Sequence, residues 1–125
     1  MSSIIWFIRH AECEINIGLP TSTTLNAQLT SKGLIQALQV ALAFSKAPDL
    51  IITSAYKRSK QTAIPTLQRF PDARHEEWPV HEFTYLAKSI GQEITNIHER
   101  RSLVEEYWKK LDLTYVDGEG AESFK

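Results

Sequence analysis

Short apolar runs alternate with longer helical patterns along this chain, and this alternation restricts its fold more than any other feature. Ile4–Ile8 is a continuous apolar run rich in β-branched and aromatic residues, which is typical of a strand covered on both faces. Residues 29–44 have helical periodicity, Leu50–Thr53 is a second short apolar run, and residues 54–70 are again helical in pattern. The order strand, helix, strand, helix predicts an α/β fold, a three-layer α/β/α sandwich with a mainly parallel sheet.

The two predicted helices have recognisable ends. The first helix has Thr30 or Ser31 as its candidate N-cap. Its apolar residues recur at three- and four-residue steps and are Leu34, Leu38, Ala41 and Leu42. The second helix is expected to begin at Ser54 and to bend or break at Pro65, because proline has no backbone N–H to donate. Residues 18–28 are polar and contain Gly and Pro, so they are predicted to form a loop.

The second half of the chain has further signals. Residues 76–86 predict a short strand followed by a loop. A helix is expected from about Asn96, because Asn96 and Glu99 have N-cap spacing. The apolar side of this helix consists of Val104, Tyr107, Trp108 and Leu111. Residues 117–125 are rich in turn-forming residues and can open one more helix at their end.

Length and charge place limits on the function. A chain of 125 residues is predicted to form a single domain over residues 1–125. Fourteen Lys and Arg residues against fifteen Asp and Glu residues give a formal charge of −1, so no overall field attracts nucleic acid or a membrane surface. Any anion-binding site must therefore consist of a few placed cations.

The N-terminus and the single cysteine indicate a cytoplasmic protein. Cys13 cannot form a disulfide within the chain, which fits a reducing compartment. No basic region precedes the apolar run Ile4–Ile8, and this run is too short for a signal peptide or a membrane span. We therefore expect neither export nor a membrane anchor.

Polar side chains follow both predicted strands at their carboxyl ends, where parallel α/β sheets bind ligands. Arg9 and His10 follow the first strand, and Ser54–Arg58 follow the second. Two guanidinium groups and a helix N-terminus can converge on one phosphoryl group, and a neutral imidazole among them can attack phosphorus. On residue type alone, plainer interpretations stay open. Arg9 and His10 can end a strand as solvated groups, His10 can be a hydrogen-bonded structural histidine, and Arg58 can be one charge of a mixed surface.

Four segments in order resemble the histidine phosphatase superfamily, the phosphoglycerate-mutase-like proteins. IIWFIRHAECEIN, residues 4–16, resembles the family's opening strand, which ends in Arg-His-Gly and is followed by a Glu and an Asn. LTSKGLIQA, residues 29–37, resembles its Leu-Thr-x-x-Gly-x-x-Gln-Ala stretch. IITSAYKRSKQTA, residues 51–63, resembles its strand, Ser, Arg and Gln-Thr-Ala segment, and GAESF, residues 120–124, resembles its Gly-x-Glu-Ser segment. The resemblance covers most of the chain and implies a phosphoglycerate-mutase-like fold.

The resemblance also implies a role for each matching residue. His10 would be the nucleophile that becomes phosphohistidine, Arg9 and Arg58 would bind the phosphoryl oxygens, and Asn16 would line the same pocket. Glu82 stands where the family has its acidic proton donor, and burial would let it hold a proton at neutral pH. An exposed carboxylate at a strand end is the plainer alternative for Glu82. The implied reaction is phosphomonoester hydrolysis or phosphoryl transfer, with a small phosphorylated substrate or inorganic phosphate as ligand.

Two departures from the family pattern stand out. Ala11 replaces the Gly that follows the histidine, which adds a Cβ where the family has none. The family also has another histidine late in its chain, whereas this sequence ends at Lys125, and His75, His81 and His98 lie too early for that role. We therefore expect an incomplete C-terminal part of the fold and self-association through an uncovered sheet edge. A non-catalytic remnant that binds phosphate ligands without turnover is the alternative function.

Two other ligand-binding motifs are incomplete. The triplet 10–12 matches the His-x-Glu element of zinc deaminases, but Cys13 is the only cysteine and the Cys-x-x-Cys ligands are missing. Residues 18–24 contain one Gly and no Lys, so they do not form a nucleotide-type phosphate loop. The sequence therefore predicts no metal and no cofactor.

Overall fold

The structure is a computed structural model, and it describes residues 2–19, 24–80, 97–112, 114–116, 118–119 and 121–122. Helices and strands alternate in this part of the chain. In chain order they are a 3-10 helix Thr24–Asn26, α1 Ser31–Ala43, β1 Leu50–Thr53, α2 Lys57–Arg69, β2 Arg74–Glu77 and α3 Ile97–Lys109.

A βαβ unit forms the middle of the chain. β1 and β2 pair in parallel, with Leu50 opposite Arg74 and Thr53 opposite Glu77, and α2 connects them. This arrangement confirms the predicted α/β fold with a parallel sheet. β2 begins two residues earlier than the strand predicted over 76–86, and residues 81–86 lie outside the described part of the chain.

Helix α1 has the predicted position but a different buried face. Thr30 is its N-cap, and the Thr30 Oγ1 atom accepts a hydrogen bond from the Gly33 N–H at 3.1 Å. The buried residues are the small ones, Gly33, Ala37 and Ala41. The leucines of the predicted apolar stripe, Leu34, Leu38 and Leu42, are between 51% and 72% exposed. α1 packs against α2, and its small residues let neighbouring backbone approach closely.

Helix α2 begins later than predicted and continues past its proline. It starts at Lys57, after Tyr56 as N-cap, whereas Ser54 lies in the connection from β1. The prediction that the helix would begin at Ser54 is therefore wrong. Pro65 lies inside α2, which continues without a break to Arg69. The Arg69 guanidinium donates to the carbonyl oxygens of Ala41 and Phe44, which ties the last turn of α2 to the end of α1.

Helix α3 confirms the helix predicted near the end of the chain. Its predicted N-cap, Asn96, lies outside the described residues. Tyr107 is the buried member of the predicted apolar side, whereas Leu111 lies beyond the helix end, 89% exposed and with a φ of 49°. In the part of the chain that the structure describes, no helix combines the length and the apolar character needed to cross a membrane.

The buried cluster lies directly after His10. Ala11, Cys13, Leu29 and Ala37 are buried together, with Ile15 packed against them. Cys13 and Leu29 form an isolated antiparallel bridge, so the segment after His10 runs beside the residue that leads into α1. Cys13 is fully buried and has a free thiol.

The prediction of a strand over Ile4–Ile8 is wrong for this structure. These residues have no strand assignment, and their side chains range from 46% exposed at Ile8 to 95% exposed at Phe7. The Trp6 ring meets the Phe44 ring edge-on, with centroids 6.3 Å apart. A strand that is apolar on both faces needs partners on both sides, and no described strand pairs with this run.

Candidate active site

A cleft of about 270 Å³ opens at the carboxyl end of the parallel pair, beside the first residues of α2. Its lining residues are Ile8, Arg9, His10, Ser54, Tyr56, Arg58, Ser59 and Val80. The structure therefore brings Arg9, His10 and Arg58 to the walls of one cavity. This is the edge at which ligands bind in parallel α/β sheets.

The His10 ring is held by the backbone of the next residue. The Nδ1 atom of the partly buried His10 lies 2.8 Å from the Ala11 carbonyl oxygen. A carbonyl oxygen can only accept, so Nδ1 carries the hydrogen and donates it. In a neutral imidazole with hydrogen on Nδ1, Nε2 has the lone pair. In its neutral form, the ring that makes this contact therefore has its nucleophilic lone pair on Nε2.

Two guanidinium groups line the cleft together with the imidazole, one of them buried and the other exposed. Arg58 is the second residue of α2 and is 7% exposed, whereas Arg9 is exposed. The Arg58 Cζ atom lies 4.4 Å from the centroid of the Tyr56 ring, a cation–π contact that stabilises a charge held away from water. Because guanidinium groups stay charged at any physiological pH, this wall of the cleft carries fixed positive charge.

Hydroxyl groups shape the connection between β1 and α2. The Ser54 N–H donates to the Ser59 Oγ atom at 3.1 Å, and the Tyr56 N–H donates to the Ser54 Oγ atom at 3.3 Å. The N-cap residue of α2, Tyr56, makes no capping hydrogen bond through its side chain. The sequence placed Ser54–Arg58, and so Tyr56, at this edge, but it did not single out Ser59 and Val80 as lining residues. For Ser59 a signal was available, since it stands within a few residues of the end of a predicted strand.

Side chains of the two helices anchor the segment that follows His10. The Ala11 N–H donates to the Thr62 Oγ1 atom of α2 at 3.0 Å, and the Glu12 N–H donates to the Gln36 Oε1 atom of α1 at 2.9 Å. Both contacts use backbone donors that no sheet satisfies, so they replace strand pairing for this segment. His10 is therefore placed by both helices.

Glu12 and Leu29 complete the anchoring. The Thr30 Oγ1 atom donates to Glu12 Oε1 at 2.8 Å, and the Lys32 ammonium lies 3.5 Å from Glu12 Oε2. The Leu29 N–H donates to the Gln61 Oε1 atom at 2.8 Å. These contacts give a physical reason for the Thr and Gln residues in the segments that carry the family resemblance.

The resemblance implied that Asn16 lines the pocket, but the structure places its side chain elsewhere. Ala11, which replaces a glycine of the family pattern, is accommodated. Asn16 is exposed and does not line the cleft; its Oδ1 atom accepts from the Cys13 N–H at 2.9 Å and the Cys13 thiol at 3.1 Å. Among the described non-glycine residues only Leu111 has a positive φ, so Ala11 fits its position without left-handed strain. Glu82, the predicted proton donor, lies outside the described residues, as does His81.

Within residues 2–19, 24–80 and the described parts beyond 96, no three His, Cys, Asp or Glu residues are grouped in a way that could hold a metal ion. Among the lining residues that the structure describes, the positively charged side chains are those of Arg9 and Arg58.

A comparison with protein families assigns residues 5–125 to one family model. Its description is "Histidine phosphatase superfamily (branch 1)", and the match includes every cleft-lining residue. No curated protein sequence matches the chain at a significant level.

Several solved structures are similar to this one. A candidate alpha-ribazole-5'-P phosphatase from Escherichia coli K-12 has a TM-score of 0.67 and 22% identity over 94% of this chain and 57% of its own. A mycobacterial glucosyl-3-phosphoglycerate phosphatase has a TM-score of 0.62 and 22% identity over 91% of this chain and 53% of its own. A protein described as mycobacterial hydrolase 1 has a TM-score of 0.64 and 21% identity over the same shares. These likenesses concern the fold, and the chain spans slightly more than half the length of each neighbour.

Proposed function

The chain belongs to the histidine phosphatase superfamily, and we propose that it performs phosphomonoester hydrolysis or phosphoryl transfer through a phosphohistidine on His10. The observation that carries this proposal is the cleft in which Arg9, His10 and Arg58 meet. The proposed substrate is a small phosphorylated molecule, a class to which the substrates named for two similar structures belong. A reducing compartment such as the cytoplasm suits the single buried thiol of Cys13.

The chemistry follows from the tautomer and the charges. The Nε2 lone pair of His10 attacks phosphorus in line with the leaving oxygen, so that a P–N bond forms as the P–O bond breaks. The guanidinium groups of Arg9 and Arg58 bind the non-bridging oxygens and stabilise the charge that is spread over them in the transition state. The leaving oxygen takes a proton, for which the family resemblance implies Glu82. Water or an acceptor hydroxyl then attacks phosphorus and gives its proton to the carboxylate left on that acid, the P–N bond breaks, and Nε2 recovers its lone pair.

The histidine variants His10→Ala and His75→Ala test this proposal. His75 lies on β2 and does not line the cleft, and its Nε2 atom is 2.8 Å from the Thr53 hydroxyl oxygen. It is therefore a matched control for the loss of one imidazole. We expect wild type and His75→Ala to hydrolyse p-nitrophenyl phosphate and to trap an acid-labile radiolabelled phosphate, whereas His10→Ala should do neither. Equal hydrolysis by the His10 variant would overturn the proposal.

The alternative function is phosphate binding without turnover, since Arg9 and Arg58 can hold a phosphate group whether or not it reacts. Titration calorimetry with inorganic phosphate distinguishes the two functions. Binding that depends on Arg58 and occurs without hydrolysis of any phosphomonoester would identify a non-catalytic phosphate-binding protein.

A further inference from the structure

The hydroxyl group of Thr62 connects the two parts of the chain that form the cleft. Thr62 lies on α2, one helical turn after Arg58, and is 7% exposed. Its Oγ1 atom accepts a hydrogen bond from the Ala11 N–H at 3.0 Å and donates one to the Arg58 carbonyl oxygen at 2.7 Å. Both hydrogen bonds are buried. One hydroxyl therefore fixes the residue after His10 to the backbone of the residue that carries the buried guanidinium.

This connection continues into the imidazole. The Ala11 residue whose N–H binds Thr62 is also the residue whose carbonyl oxygen accepts the Nδ1–H of His10 at 2.8 Å. Three hydrogen bonds thus lead in sequence from the Arg58 carbonyl through Thr62 and Ala11 to the His10 ring. A rotation of the Ala11 backbone would move the acceptor that selects the ring tautomer.

We propose that Thr62 is a positioning residue, whose hydroxyl sets the tautomer and the orientation of His10 relative to Arg58 by holding the backbone of Ala11. The catalytic consequence rests on the function proposed above, whereas the positioning is a property of the protein without substrate. Removing the hydroxyl would leave the buried Ala11 N–H without its acceptor, and a buried donor without a partner is costly. The peptide that carries the Ala11 N–H would then turn to find another acceptor, while Gln36 still holds the peptide that carries the Ala11 carbonyl, so the His10 ring would shift relative to its acceptor.

A threonine suits this role because its hydroxyl can donate one hydrogen bond and accept another while the residue lies in a helix. Its hydroxyl can donate to the carbonyl four residues earlier, as it does to Arg58, and this contact points the oxygen lone pairs outward from the helix. The outward lone pair meets the Ala11 N–H. Serine has the same hydroxyl without the methyl group, whereas valine has the same shape without the hydroxyl. Thr62→Ser and Thr62→Val therefore separate the hydrogen bonds from the packing.

Thr66 offers the matched control. It is 4% exposed, lies on α2 one turn beyond Thr62, and has no part in the cleft lining. Thr66→Val removes a hydroxyl from the same buried helix face but leaves the acceptor of the Ala11 N–H in place. An effect on His10 that appears in Thr62→Val and is missing in Thr66→Val cannot come from a general loosening of α2.

Nitrogen NMR of the histidine rings measures the tautomer directly, with His10 assigned from the spectrum of His10→Ala. We expect the Nδ1–H tautomer in wild type, Thr62→Ser and Thr66→Val, and a mixture of tautomers in Thr62→Val. A wild-type tautomer in folded Thr62→Val would overturn the proposal. Amide hydrogen exchange in wild type tests it without any variant, because the Ala11 N–H should be protected. Exchange of the Ala11 N–H at the rate of a free amide would overturn it as well.

Kinetics then separate this proposal from the proposed function. Displacement of a reacting group by about 1 Å can cost on the order of 100-fold in rate, so Thr62→Val should lower kcat for p-nitrophenyl phosphate by about 10- to 100-fold. KM should change much less, because Arg9 and Arg58 remain. If wild type has no turnover, the proposed phosphatase function fails, while the tautomer and exchange results still decide whether Thr62 positions His10.

Discussion

The backbone of α1 at Gly33 lies against the carbonyl group of Glu12 so closely that a Cβ atom on residue 33 would overlap the carbonyl oxygen. The same carbonyl oxygen accepts a hydrogen bond from the Thr30 N–H at 3.0 Å. The first turn of α1 and the segment that follows His10 are therefore packed as one unit. A glycine at position 33 is required by this close approach rather than by a left-handed φ.

The variant Gly33→Ala should therefore destabilise the protein, although alanine is the better helix former. Insertion of one methyl group into a filled contact costs typically about 1–3 kcal/mol, while the gain in helix propensity is about 1 kcal/mol. Because the contact is with backbone, we expect the free energy of unfolding in urea to fall. Gln39→Ala on the exposed side of α1 is the control and should stay within about 0.5 kcal/mol of wild type. An unchanged or raised stability of Gly33→Ala would contradict the close contact with Glu12.

The sequence predicted well those elements that neighbouring residues specify by their type, such as helix caps and β-branched strands. Thr30 begins α1 because its hydroxyl satisfies a free N–H of the first turn, and this cap can be recognised from residue type. Leu50–Thr53 forms β1 as its β-branched residues predicted. Arg58 reaches the cleft because it follows β1 in the first turn of α2, whereas Arg9 and His10 reach it through the contacts of Ala11 and Glu12 with the two helices.

The features that the sequence did not predict depend on contacts between distant segments. An apolar pattern shows which face suits burial but not whether a partner covers it, and Ile4–Ile8 and Leu42 remain exposed. Asn16 matches the family motif in position, yet its side chain binds the local turn at Cys13. The contact of Thr62 with Ala11 joins residues 51 positions apart, and no periodicity or cap signal encodes such a pair.

Self-association is the expected consequence of the exposed N-terminal run. Ile4, Ile5, Trp6 and Phe7 are between 71% and 95% exposed, and contiguous apolar surface of this kind favours association in water. We expect the protein to elute from size-exclusion chromatography as a concentration-dependent oligomer, and the double variant Ile5→Lys with Phe7→Lys to shift it toward monomer. Leu111→Lys is the control, because Leu111 is equally exposed but lies outside this run. A compact monomer at all concentrations would contradict the prediction.

Arg58 and its neighbour Lys57 allow a test of whether the buried guanidinium, rather than general positive charge, binds phosphate. Both residues lie in the first turn of α2, but Arg58 lines the cleft and is buried, whereas Lys57 is exposed and does not line it. Removal of one preorganised donor to transition-state charge costs typically about 100- to 1,000-fold in kcat, so Arg58→Ala should lose about this much in kcat/KM and bind inorganic phosphate more weakly. Lys57→Ala removes the same charge from the same helical turn and should change kcat/KM far less, because water screens exposed charges.

Arg58→Lys adds a finer comparison. An ammonium keeps the charge but loses the planar fork that matches two phosphoryl oxygens, so the activity of this variant should lie between those of wild type and Arg58→Ala. Steady-state hydrolysis of p-nitrophenyl phosphate and calorimetric titration with phosphate measure the two effects separately. Equal losses in Lys57→Ala and Arg58→Ala would mean that the field of the α2 N-terminus, and not the guanidinium in the cleft, attracts the ligand.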